Sequence, residues 1–81
     1  MNFVVKPFSY ETTRQNVLYC VENEDIKGIV IYKFTKPDHV FNKEIKIARN
    51  VFESHGIEYS MIETMDERYG FGISFIIEKR K

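Results

Sequence analysis

Residues 9–23, Ser9-Tyr10-Glu11-Thr12-Thr13-Arg14-Gln15-Asn16-Val17-Leu18-Tyr19-Cys20-Val21-Glu22-Asn23, decide the fold of this 81-residue chain. Read with a period of two, Val17, Tyr19 and Val21 alternate as in a strand, and the run Glu22 to Asp25 turns the chain back towards Ile26. Read with a period of 3.6, Ser9 caps a helix on which Tyr10, Arg14, Val17, Leu18 and Val21 share a face. The β-branched content favours a strand locally. The helical reading gives the more economical topology, with two successive strand–helix units leading into a final hairpin. Periodicity alone does not arbitrate between them.

Outward from this segment the signals are clearer. From Asp38 to His55, Phe41, Ile45, Ala48 and Phe52 recur at i, i+4, i+7 and i+11, and Val40, Ile47 and Val51 widen the stripe. Lys43, Glu44, Lys46, Arg49 and Glu53 fall largely on the opposite face. Pro37 suits the entry, Asp38 the N-cap and Gly56 the C-terminal glycine, so a long helix is predicted here. Before it, Lys27 to Phe34 is a nearly continuous apolar run, as in a central strand covered on both faces. After it, Ile57 to Glu63 and Gly70 to Glu78 alternate, and Thr64 to Tyr69 reads as the polar tip of an antiparallel hairpin. The strand–helix–strand unit implies parallel strands and a right-handed crossover.

The expected fold is an α/β domain of two layers, in the order strand-helix-strand-helix-strand-strand. It has a four-stranded mixed sheet with two helices on one face. The alternative is a five-stranded sheet with the one long helix, 38–55. In either case residues 1–81 form a single domain, without repeat, low-complexity tract or linker.

Composition narrows the function classes. With 43% hydrophobic and 15% aromatic residues, four Gly and two Pro, the chain is too apolar for disorder. A domain this small buries only ~60% of its unfolded surface, so self-association is a natural source of further stability. Ten Ile against one Leu (Leu18) and one Ala (Ala48) suit buried strands better than a helical bundle. The apolar start, Phe3-Val4-Val5, is broken by Lys6-Pro7, far short of a signal peptide. No apolar run is long enough to span a membrane; the longest uncharged one is Ile29-Val30-Ile31-Tyr32. A single cysteine, Cys20, forms no internal disulfide, which favours the cytoplasm.

No residue pattern points to catalysis. Cys20, His39 and His55 have neither CxxC nor HxxxH spacing, so no metal site is expected. Cys20 lies among Leu18, Tyr19 and Val21 and reads as a buried thiol. His55 suits the C-terminal end of the long helix. Gly70-Phe71-Gly72 lacks the helix and third glycine of a phosphate loop and reads instead as a strand passing close to another backbone. Neither an enzyme activity nor a cofactor is expected.

Twelve basic and twelve acidic residues cancel, which handicaps non-specific coating of nucleic acid. Distribution still matters. On the expected fold Lys6 ends the first strand, Lys33 and Lys36 follow the second, Lys43 lies early on the long helix and Arg68 on the hairpin tip. These belong to one edge, beyond the carboxyl ends of the strands, where α/β domains take ligands. Glu22, Glu24, Asp25 and Glu58 fall towards the other end. Ordinary scattered surface lysines are the competing reading.

With this order of elements the chain resembles the Alba superfamily of small archaeal and eukaryotic nucleic-acid-binding proteins. Lys6-Pro7 is similar to that family's lysine-proline step before the first helix. Ile29-Val30-Ile31 to Ile47-Ala48-Arg49-Asn50-Val51-Phe52 keeps its spacing of strand, loop and second helix. Ile73-Ser74-Phe75-Ile76-Ile77-Glu78-Lys79-Arg80-Lys81 is similar to its last strand with a basic finish. The resemblance implies a homo- or heterodimer gripping duplex DNA or structured RNA. It implies Lys6 as the leading phosphate contact, Lys33 and Lys36 as the basic loop, and Arg68 on the hairpin arm. The alternative class is a non-catalytic protein-interaction module, a small inhibitor or a subunit of a larger assembly, using apolar sheet or helix surface.

Overall fold

A computed structural model describes residues 3–7, 13–33 and 38–80. The elements run β1 (Phe3–Pro7), α1 (Thr13–Glu22), β2 (Gly28–Lys33), α2 (His39–Ser54), β3 (Glu58–Asp66) and β4 (Gly70–Lys79). The ambiguous segment is therefore helical over Thr13–Glu22, and the fold is the expected one of two helices and a four-stranded mixed sheet. Tertiary burial overrides local β propensity here. Thr13, Val17 and Cys20, spaced i, i+4 and i+7, are fully buried, and α1 packs along α2. Arg14, expected on the inner face, is exposed. The Ser9 cap lies outside the described residues.

The sheet order is β1-β2-β4-β3. β1 and β2 are parallel, with Val5 opposite Val30; β4 is antiparallel to both of its neighbours, β2 and β3. β2 and β3 thus run the same way, as a strand–helix–strand unit requires, but β4 lies between them. The hairpin strands are longer than their alternation suggested, β3 reaching Asp66 and β4 reaching Lys79.

The long helix begins and ends where its caps predict. Asp38 Oδ1 accepts from the Phe41 amide at 2.9 Å, filling one orphan donor of the first turn. At the other end Gly56 adopts φ 71° and its amide donates to Glu53 O, while the Ile57 amide donates to Phe52 O. Only a residue free of Cβ strain takes that left-handed closure readily. His55 Nδ1 lies 2.9 Å from Val51 O, as expected for an imidazole at a helix C-terminus.

Helices cover one sheet face only. Ile29, Ile31 and Phe75 point to it and, with Val17, Phe41, Ala48, Val51 and Phe52, form the core. Phe52, Tyr59 and Phe75 make an aromatic cluster with centroids 5.5 to 5.7 Å apart. Arg49 Nε donates to Tyr59 Oη at 3.1 Å, and that hydroxyl donates to Glu53 Oε2 at 2.5 Å. This ties α2 to the edge strand β3. Buried Thr13 donates through Oγ1 to buried Glu44, joining the start of α1 to α2. Cys20 is a buried thiol, as its surroundings predict, and burial raises it to about 11, with Arg80 opposing, so it is protonated at neutral pH. No helix among the described residues is long and apolar enough to cross a membrane.

Candidate binding surface

Four features meet at one edge of the domain: the ends of β1 and β2, the start of α2, and the β3–β4 turn. Pro7 pairs with Tyr32, and Lys33 with Phe71 just beyond the turn. Lys33 Nζ lies 3.4 Å from Asp38 Oδ2 at the α2 N-cap. The Tyr32 ring stacks on Tyr69 in the turn, with centroids 5.0 Å apart and planes at 28°. The turn itself is set by Asp66, whose Oδ1 accepts from the Arg68 and Tyr69 amides at 2.7 and 3.1 Å. An Asx turn of this kind is what a short acidic side chain does best. Gly70 closes it at φ 80°.

The candidate cations are distributed unevenly around this edge. Lys33 is largely sheltered, with 15% side-chain exposure, and its ion pair with Asp38 occupies it. Arg68 is exposed, its guanidinium 5.9 Å from the Tyr69 ring centroid. Lys43 is exposed beside a groove lined by His39, Val40 and Ile47. Lys6 lies in β1, its backbone level with Ile31. Lys36 lies outside the described residues. The structure thus sets Arg68 beside the Tyr32–Tyr69 stack, while Lys33, one residue on from Tyr32 in β2, turns to the other sheet face and Asp38. Lys43 belongs instead to the groove on α2. Asp38, Asp66 and Glu67 share the edge. At the far end Glu22, Glu24, Asp25 and Glu58 stand as expected, but Lys27, Lys79 and Arg80 stand there too, so both ends carry both signs.

The Asp38 carboxyl is held below the ordinary carboxylate range, first by the Phe41 amide and then, against slight desolvation, by Lys33. A depressed folded value stabilises above the unfolded pKa of about 3.9, and that stabilisation is lost as pH falls through the lower folded value. Asp38→Ala should lower the thermal midpoint by a few degrees at neutral pH and by less in acid. Asp38→Asn should lose less, because an amide oxygen still caps the helix. Melts at pH 7 and pH 3 check this; equal losses at both would refute the assignment.

The aromatic residues were absent from the sequence reading as a site. On the sheet face away from the helices stand Phe3 and Val5 of β1, Val30 and Tyr32 of β2, Ser74 and Ile76 of β4, and Ser60, Ile62 and Thr64 of β3, placed by the strand registers. Two rings come close to glycines. A Cβ on Gly28 would meet the Phe75 carbonyl oxygen first and then Phe3 Cε2 at 2.7 Å, and one on Gly72 would come within 2.6 Å of Tyr32 Cδ1. Gly72 was expected to allow a close approach; what approaches most closely is a ring, with Ile31 O at 3.0 Å behind it. Burial raises the Tyr32 phenol, with Asp66 and Tyr69 adding to the shift, so it stays neutral at physiological pH. Between Asp66 and Glu78, at opposite ends of this face, the described side chains on it are uncharged. The signal for the site was present as two glycines inside apolar strands, each level with a ring on the neighbouring strand. Comparisons of the chain with known protein families, with curated proteins and with solved structures give no match.

Proposed function

We propose that this domain is a non-catalytic nucleic-acid-binding module, working in the cytoplasm and associating with itself or with a protein partner. The observation that carries the reading is the Tyr32–Tyr69 stack with the exposed Arg68 guanidinium beside it, at the edge where strand carboxyl ends converge. A cation beside stacked rings suits a ligand that carries phosphates and bases together. The element order agrees with the resemblance to the Alba superfamily, and Lys6 and Lys36 extend the same edge under that reading. A lone buried thiol suits a reducing compartment.

Anisotropy of labelled nucleic acid between ~50 and ~200 mM salt tests the proposal. Binding should weaken with salt, and Arg68→Gln should reduce the salt slope by ~1 while weakening all sequences alike. Absence of binding at the lowest salt would refute it.

One observation favours the protein-interaction reading. Val5 and Ile62 are 50% and 52% exposed on the uncovered sheet face, and apolar surface there is what a partner would cover. Val30 is sheltered within the protomer, at 9% exposure, so the uncovered area is smaller than the strand's alternation implied. Sedimentation at micromolar concentration distinguishes a self-associating chain from a monomer.

A further inference from the structure

We propose that the nucleic acid taken by this domain is single-stranded, with its bases stacked along the open sheet face from the Tyr32–Tyr69 ledge towards Phe3. This rests on the nucleic-acid reading of the same surface and names its substrate class. Duplex binding draws its strength from neutralised phosphates. Among the described residues of this edge, Lys33 is engaged with Asp38, and Asp66 and Glu67 oppose Arg68 and Lys43. So little net positive charge does not hold a duplex whose bases are hidden.

Stacking needs no net charge. Each base on an aromatic side chain contributes roughly five- to hundredfold in affinity, whatever its identity. The sheet offers rings in a usable arrangement. Tyr32 lies by Gly72 and against Tyr69, and an edge of the Phe3 ring comes close to Gly28 beside the Phe75 carbonyl. Gly28 and Tyr32 are four residues apart on β2, or about 13 Å along the strand, a span suited to two or three splayed bases. The strip between them is uncharged, with Val5, Val30, Ser74 and Ile62 across it, which base faces accept and phosphates do not require. Arg68, exposed beside the Tyr69 ring, meets the backbone where the strand enters.

The experiment uses a labelled ten-nucleotide oligo-dT, its ribose counterpart, and a duplex of the same length, at ~50 mM salt. The single strands should bind at least tenfold more tightly than the duplex. Tyr32→Leu should weaken single-strand binding about tenfold with the salt slope unchanged, whereas Tyr32→Phe should restore it. Because the chain has no Trp, the tyrosine fluorescence of the unmodified protein reports stacking without any variant. It should be quenched by oligo-dT. Equal or tighter duplex binding, or single-strand binding without quenching, overturns the inference and leaves the nucleic-acid reading standing. No binding to any of the three overturns both and assigns the open face to a protein.

Discussion

Phe75→Ala should cost about 3–5 kcal/mol, the largest loss from any single truncation in this domain. Phe75 is fully buried at the centre of the sheet, paired with Ile29 on one side and Met61 on the other. Its ring meets those of Phe52 and Tyr59 at 5.7 and 5.6 Å, so it joins α2, β3 and β4 in one cluster. Neighbouring rings are too rigid to collapse into the space it leaves, and the cavity term adds to the transfer term. A domain of this size has about 4–12 kcal/mol in total, so the variant should be marginal, with a thermal midpoint lower by about 20 °C or more. Met65→Ala provides the contrast. Met65 is 76% exposed near the end of β3, and its truncation should fall within about 0.5 kcal/mol. Urea titration of both variants is the measurement. A Phe75→Ala loss under about 1 kcal/mol would mean that the core is organised around another residue.

The same cluster shows which parts of the fold were legible in sequence. α2 was legible because its amphipathic stripe is long and its caps are local: Asp38, Phe41 and Gly56 act within a turn of where they stand. The segment containing α1 was ambiguous for a physical reason. Val17, Tyr19 and Val21 alternate, yet Tyr19 is 53% exposed while Val17 and Cys20 are fully buried. Only the packing of α1 along α2 selects the 3.6-residue period. Sheet order is likewise non-local, since nothing in β3 itself records that β4 separates it from β2.

The candidate site was legible in part. Lysine spacing pointed to the edge where the Tyr32–Tyr69 stack stands, because strand ends and helix starts follow from the order of elements. It did not reveal that Lys33 is occupied by Asp38, a residue read only as a cap. Nor did it reveal the Tyr32–Tyr69 stack, which depends on the register that places Tyr32 opposite Gly72. A one-residue slip of that register would send Tyr32 to the other face.

Arg80→Met should destabilise the domain by about 2–4 kcal/mol, although the residue lies beyond the end of the last strand. Its guanidinium donates from one nitrogen to Cys20 O and Val21 O at 3.2 and 3.0 Å, and from the other to Asn23 O and Ile26 O at 3.1 and 2.5 Å. These carbonyls belong to the end of α1 and the connection into β2. A helix leaves its last carbonyls without partners, and α1 has no basic residue in its own last turn. Arg80 meets that need from 54 to 60 residues away in the chain. Charge-assisted bonds of this kind contribute about 1.5–3 kcal/mol each in isolation, but four sharing one side chain do not add. Methionine retains the packing of the stem, so its loss reports the hydrogen bonds. Arg80→Lys should recover less than half, because one ammonium does not span the four acceptors that a planar fork does. Amide exchange should accelerate first in α1 and the 23–27 connection, with α2 following only at global unfolding. Arg80→Met within 0.5 kcal/mol of the parent would show that solvent satisfies those carbonyls equally well. A loss of the expected size would mean that Arg80 closes α1 and is not available to phosphate.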